Sequence, residues 1–551
     1  MIVSVNLDPQ LLSSANPMPT TSGDLSATLN AHGLYNAFQF VLRLSPAVHQ
    51  KISELPAGIV SSGEIGFDGA QAFSTYLHET IHWWQHVGST YGLMRSLSYP
   101  TQTHGNFKHL KKLIAEIGFK KSIRELAAKL PGAGEIGTLG GLANIIVNNH
   151  FDFDAFRGFT FNQAAARSAI SDPYFECVGH AFEMTYANNI LVLAATVDPD
   201  FRLLQHPKEW EEPFGVLRQN KEDGFYYGSR IELWPLGAHE ILEGQACFGQ
   251  LQYLAFACGG RLSWDHFRAL GMLHGVYVKA FETFLEVAEL EWPATLDHPI
   301  VGLFLLICDM AINPGAGFPF PLTHCATFIT DTDPGTRFTM LSKLVRLKCP
   351  GVITAIRNYS RTEYEQVTEQ LAAALIVESP LAIASMFSHW AQNDGPLASL
   401  MEEYRSFDYG PINFPVRFLF SHFLAFTQDK LTTPEFFCWP GAWMAGTRVS
   451  EHGETLFNRH AAPFVDKQDD DGIFPRLYTD RDEKLVKDVF YSFYACNITY
   501  DLTNQWITQS GPFTYDYRWF SQSGTHEEIK DFADRHFLQV YGVHPDAVNL
   551  L

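Results

Sequence analysis

The stretch Asp68–Gly88, DGAQAFSTYLHETIHWWQHVG, decides how the rest of the chain is read. Within it, His78-Glu79-Thr80-Ile81-His82 sets two histidines four residues apart, with a glutamate directly after the first. At 3.6 residues per turn, His78 and His82 stand one above the other on a single helix face. Two imidazoles in that relation can hold one Zn²⁺, and Glu79 can reach a water on the ion. The carboxylate then serves as base while the ion polarises a carbonyl.

The flanks favour a helix. Asp68 with Gln71 three residues on reads as a capping box, and Gly88 suits a C-terminal cap. One face carries Gln71, Thr75, His78, His82 and Gln85 or His86. The other carries Phe73, Tyr76, Leu77, Ile81, Trp84 and Val87, a core-facing stripe. The competing reading is a buried helix whose two histidines are hydrogen-bonded core residues; the paired spacing with Glu79 favours metal. His86 drifts off the metal face, so packing or support of a ligand is its expected role.

A zinc site for hydrolysis needs a third protein ligand and one open position. The best candidate is Glu243 in Pro235-Leu-Gly-Ala-His-Glu-Ile-Leu-Glu-Gly-Gln-Ala-Cys247, where Glu243-Gly-Gln-Ala reads E-G-x-A. The spacing predicts a helix from Pro235 to Gly259-Gly260, with Pro235 in its first turn and Gly244 allowing a close helix approach. His239, Glu240, Glu176, His180 and Glu183 compete with Glu243 for the third position. A neutral His or Tyr near the ion can donate to an oxyanion, a second possible role for His239.

With these two motifs the chain resembles the gluzincin branch of the zincin metallopeptidases. The resemblance rests on about thirty residues, and the His82–Glu243 gap is wider than the family usually shows. It implies zinc on His78, His82 and Glu243, Glu79 as catalytic base, and a peptide or protein substrate. It also implies a zincin-like core with a small sheet. A metzincin would need a third His six residues after His82, where Gly88 stands.

Lys plus Arg number 39 against 60 Asp plus Glu, a net charge of −21 over 551 residues. That balance disfavours nucleic acid and anionic membrane as partners. An apolar content of 46% is that of a packed globular protein. Eight scattered cysteines without a C-x-x-C are expected as free thiols. The first thirty residues lack the basic and apolar regions of a signal peptide. The longest apolar run, Ile300–Cys308, is too short to span a membrane. A cytoplasmic location is the expectation. The sequence does not give the oligomeric state.

The expected fold is mainly α, in an α+β arrangement: a zincin-like catalytic core and a large helical remainder. Residues 1–30 read as an extended arm, 31–312 as the catalytic domain, and 313–551 as a mostly helical C-terminal domain. The boundary falls at the Pro/Gly break Asn313–His324. Strands are expected at Ala37–Leu44 and Gly58–Phe67, ahead of the metal helix. A basic helix with a solvated lysine face is expected over Asn106–Leu130, a loop region over 131–175, and a helix from Asp172-Pro173 to about Thr196. Helices follow at Trp264–Leu290, Ile300–Ile312, Thr339–Leu347, Arg361–Ile376, Pro380–Gln392 and Pro396–Ser406. The last 120 residues read as turns and aromatics before a helix near His526–Tyr541. Asp466–Gly472, DKQDDDG, fails the Ca²⁺-loop pattern at Lys467 and reads as a solvated acidic turn.

No repeat, phosphate-binding glycine loop or G-x-S-x-G is present. Two function classes remain. One is a soluble zinc peptidase. The other is a metal-binding or zincin-like scaffold without peptidase activity. A di-iron carboxylate protein would need a second E-x-x-H, which is absent.

Overall fold

The computed structural model describes residues 7–12, 33–36, 40–55, 66–132, 134–135, 137–517 and 524–551. The histidine pair lies on helix α1, Phe67–Gly88. It does not begin with the expected capping box. Gly66 is the N-cap, and the Gln71 amide oxygen accepts a hydrogen bond from Asp8 N instead. Thr75 Oγ1 donates to Leu11 O at 2.7 Å, and Leu11 and Leu12 are buried. Part of the expected arm is therefore docked on α1, as a 3-10 turn over Pro9–Leu11. Burial of its leucine pair holds it there.

Gly88 ends α1 without a left-handed turn. A Cβ there would lie 2.4 Å from the Phe426 ring, so the position is fixed by close packing. Ser89 swings the chain at once into α2, Thr90–Ile117. Its hydroxyl donates to Gln85 O and accepts from Gly92 N, joining the two helix ends. The helix thus begins well before Asn106, and the expected basic helix is interrupted at Gly118 by a short strand, Lys120–Lys121. Lys121 is not solvated. Its Nζ donates to Pro512 O and lies 4.4 Å from the centre of the Phe513 ring.

The expected loop over 131–175 is instead mostly helix: α3, Leu139–Phe161, then a shorter helix over Gln163–Ile170. Helix α3 is buried around most of its circumference, so its apolar residues lack the 3.6 period that marks a half-buried helix. Helix α4, Val178–Val197, starts beyond Asp172-Pro173, with Cys177 at its N-cap. Helix α5, Ala238–Ala257, carries Glu243 and leaves Pro235 outside. The expected Trp264–Leu290 helix is two, Trp264–Ala269 and α6, Val276–Ala288. Gly271 and Gly275 between them adopt positive φ, which breaks the helix.

The apolar run near Ile300 forms α7, Pro299–Ala311, a core helix buried along its length. Four further helices, Pro334–Leu347, Arg361–Leu375, Pro380–Asn393 and Gly395–Ser406, lie close to their expected spans. The late, aromatic part of the chain is more helical than expected. It holds α8, Phe414–Thr432, and α9, Glu483–Thr508, before α10, His526–Tyr541.

A small mixed sheet lies beside α1. Strands β1 (Gly33–Asn36) and β2 (Val41–Leu44) are antiparallel, β2 pairs in parallel with β3 (Phe464–Lys467), and β3 is antiparallel to β4 (Asp470–Pro475). The strand expected over Ala37–Leu44 is thus the second arm of a hairpin, starting at Val41. The strand expected at Gly58–Phe67 lies outside the described residues except at Gly66 and Phe67, where α1 begins. Asp466 is not in a solvated turn. It is buried, accepts from Leu44 N, and lies 2.7 Å from His49 Nε2.

Buried side chains from Leu11 to Tyr541 form one large hydrophobic cluster, and α8 packs on both α1 and α2. No single helix among the described residues is long and apolar enough to cross a membrane. Inside the core, Asp309 on α7 accepts from Lys430 Nζ on α8 and from Tyr364 OH. Removing one partner of a buried ion pair strands the other charge, at a cost of about 3–5 kcal/mol. Lys430→Met should therefore lower the urea midpoint markedly, while Asp309→Asn combined with Lys430→Met should recover much of the loss.

Candidate metal centre

Helices α1 and α5 pack face to face, and their contact is unusually polar for a core. Gly249 allows the approach, since a Cβ there would meet Ile81 Cδ1 at 2.8 Å. Gly244, beside Glu243, faces Ala280 and Phe304 instead, so it admits α6 and α7 rather than α1. Both faces of α1 are buried, the polar one against α5 and the docked N-terminal turn.

At the centre of the contact, His78 Nε2 and His82 Nε2 lie 3.2 Å apart. Glu243 Oε2 lies 3.3 Å from His82 Nε2 and 3.7 Å from His78 Nε2. Donors bound tetrahedrally to zinc at roughly 2.0–2.1 Å sit about 3.3 Å from one another. The three atoms are thus spaced as the edges of such a site, and the two-nitrogen, one-oxygen set suits zinc. His78 and His82 are buried, whereas the Glu243 side chain is 24% exposed, so the cluster opens to solvent on the α5 side.

Both imidazoles turn Nε2 inward, and Gln85 holds His82 in that orientation. His82 Nδ1 lies 2.8 Å from Gln85 Oε1. The Gln85 amide cannot be reversed, because its NH₂ donates to Leu242 O at 2.9 Å. His82 Nδ1 therefore carries a proton, and Nε2 presents a lone pair once its own proton has been displaced. Gln250 stands on the His78 side of the cluster. Its NH₂ meets Ser74 and Thr75 hydroxyls whose own protons go to Gln71 O and Leu11 O. Those hydroxyls can only accept from Gln250, which turns Gln250 Oε1 the other way. Gln250 favours the protonated form of His78, although neither His78 Nδ1 nor Gln250 Oε1 makes a hydrogen bond among the described residues.

Without a metal, the cluster stores a proton. Burial alone would lower the pKa of His82, but the Glu243 carboxylate more than offsets this and lifts it to about 9. Burial would raise Glu243, yet the charge on His82 and the bonds from both imidazoles hold it well below the usual carboxylate range. Burial keeps His78 below its ordinary value, so it stays neutral. His86 points away: its Nδ1 bonds His82 O at 2.8 Å, and burial lowers it to about 3.

The other sequence candidates lie elsewhere. Glu240 caps α5 by accepting from Gly237 N at 2.9 Å. Glu183 pairs with Arg218, and Glu176 lies 3.5 Å from His180, whose other nitrogen faces Asp152. His239 sits at the mouth, 4.0 Å from Glu243 and stacked on Phe161. Glu79 is buried, and its charge acts on His82 and on Tyr277. Tyr277 of α6, with its ring centre 6.1 Å from that of His78, had no signal in the sequence. Gln250 had one, lying seven residues after Glu243 on the same helix face.

No protein-family model, curated protein or solved structure matches this chain.

A raised pKa on His82 means that its pair with Glu243 stabilises the metal-free fold fully below the ordinary histidine value. That stabilisation is lost as pH rises through about 9. A metal must displace the same proton. Zinc affinity, measured by competition with a chromogenic chelator, should rise by up to about tenfold per pH unit from 7 to 9 and then level off. Glu243→Ala should weaken binding strongly, whereas Glu176→Ala and Glu183→Ala should leave it near wild type.

Proposed function

We propose that this chain is a zinc-dependent metallopeptidase with a zincin-like core, hydrolysing peptide bonds in a peptide or protein substrate. The observation that supports it most is the tetrahedral-edge spacing of His78, His82 and Glu243, with Glu79 on the same helix as the two histidines. The helix pair with a small sheet beside α1 agrees with the resemblance to gluzincins. Zinc held by these three residues would polarise the scissile carbonyl and acidify a water molecule.

The chain's own groups have separable tasks. Glu79, within the influence of both His82 and Tyr277, takes the proton of the attacking water and returns it to the departing amine. Its burial keeps competing water from the carboxylate. Tyr277 is kept protonated, since burial and then the Glu243 and Glu79 charges raise its pKa. In this reading its hydroxyl donates to the oxyanion. His239 and Phe161, stacked at the open side, form a wall along which substrate enters.

Glu79→Gln should keep its zinc and its fold while cutting turnover by about 10²–10⁴-fold. The readout is new protein termini in a cell lysate, compared between wild type and variant. Tyr277→Phe should lower kcat by about 10²-fold with zinc content unchanged. Wild-type turnover in Glu79→Gln would mean that the chemistry does not run through this motif, whereas no hydrolysis by the zinc-bound wild type would leave the metal-binding scaffold.

A further inference from the structure

A second feature lies apart from the metal centre: a cavity of about 1040 Å³ between α2, α4, α9, α10 and the turn entering α8. None of His78, Glu79, His82, Glu243, Tyr277 or His239 lines it. Its size is at the top of the roughly 300–1,000 Å³ range of small-molecule sites. The walls are predominantly apolar, with Val192, Phe407, Phe414 and Val489 inside and Leu191 and Val540 at the mouth. Leu191 and Val540 are 41% and 38% exposed, which is unfavourable for large apolar side chains unless something covers them.

The polar groups are sorted by wall. Asp408 and Asp488 line one side, and Lys484 already serves both. Its Nζ is 2.6 Å from Asp488, and the Asp408 charge also favours its protonated form. The α2 wall carries Lys108, His104 and His109. Lys108 has no ion pair or hydrogen bond among the described residues. Largely buried His104 makes no hydrogen bond among the described residues and meets the Tyr500 ring in a T-shaped contact, and burial favours its neutral form, with one N–H to give. The chain is strongly acidic overall, so an uncompensated lysine next to an unpartnered imidazole over an apolar chamber is a local exception.

We propose that this cavity binds a single-chain amphiphile with a carboxylate head, of the long-chain fatty acid class. The alkyl tail lies among Val192, Phe414 and Val489, and the carboxylate meets Lys108 and the His104 N–H. This assignment is independent of the metal site. An aliphatic tail matches the apolar walls, each buried CH₂ being worth about threefold to fourfold in affinity. The anionic head matches the α2 wall, where Lys108 and His104 have no hydrogen-bond partner among the described residues.

The test is competition of laurate against a fluorescent dodecanoate on the full-length protein. Laurate should displace the probe at micromolar concentration, octanoate about 10²-fold more weakly, and 1-dodecanol at least tenfold more weakly than laurate. Lys108→Ala should weaken laurate about tenfold while leaving dodecanol unchanged. Ala195→Trp, at an exposed position that lines the cavity, should weaken both. Glu79→Gln should bind laurate as wild type does, so failure of the peptidase reading leaves this result intact. The proposal is overturned if laurate fails to displace the probe, or if dodecanol binds as tightly. It is equally overturned if Lys108→Ala or Ala195→Trp has no effect.

Discussion

The interaction on which the structure depends is the burial of a carboxylate and two imidazoles between α1 and α5. Taking charge out of water costs several kcal/mol per ion unless geometry and hydrogen bonds repay it. Here repayment comes from pairing: Glu243 faces both imidazole Nε2 atoms, and a glutamine stands behind each ring. The network crosses the helix pair twice, through Gln85 to Leu242 O and through Gln250 to the Ser74 and Thr75 hydroxyls. It therefore fixes the register of α1 on α5, because sliding either helix by one turn would strand several buried polar atoms at once.

Such a seam needs an apolar frame that excludes water. α1 is covered on its other side by α8, whose Phe426 ring occupies the space that Gly88 leaves open. Trp84 Nε1 donates to His460 O, and Trp83 packs edge-on against Phe40. The frame thus draws on residues from Leu11 to Tyr541, and segments remote in sequence seal the same helix.

The candidate site was more legible in the sequence than the fold around it, for a physical reason. His78 and His82 announce themselves through i, i+4 spacing with Glu79 beside them, and Glu243 through the short E-G-x-A stretch, which is all local information. Tyr277 joins them only through packing of α6, which no local pattern encodes. The buried helices α3 and α8 were hidden because apolar residues on every face erase the period that reveals a half-buried helix. Polar residues misled in the opposite direction. Asp466 and Lys121 read as solvated because their type is usually exposed, yet each is buried with partners hundreds of residues away. Gln71 looked like a cap because it stands three residues after Asp68, but tertiary contact with Asp8 N claimed its oxygen.

The distribution of burial around the cluster has a chemical consequence. The two histidines and Glu79 are sunk in the α1 side, whereas Glu243 and His239 reach solvent from α5. Fields act most strongly where water is scarce, so Glu79 influences His82 and Tyr277 with little screening. A bound molecule must approach from the α5 side, past His239 and Phe161, with its reacting atoms turned toward α1. Approach from the opposite side is closed by the α1 core. The cluster is thus wetter on its α5 side, and the Glu79 carboxylate lies at its dry end, which limits proton exchange with bulk water. The same asymmetry explains why the ligand-bearing helices differ in character. α1 is buried on both faces around two imidazoles and a shielded carboxylate, while α5 keeps one edge wet.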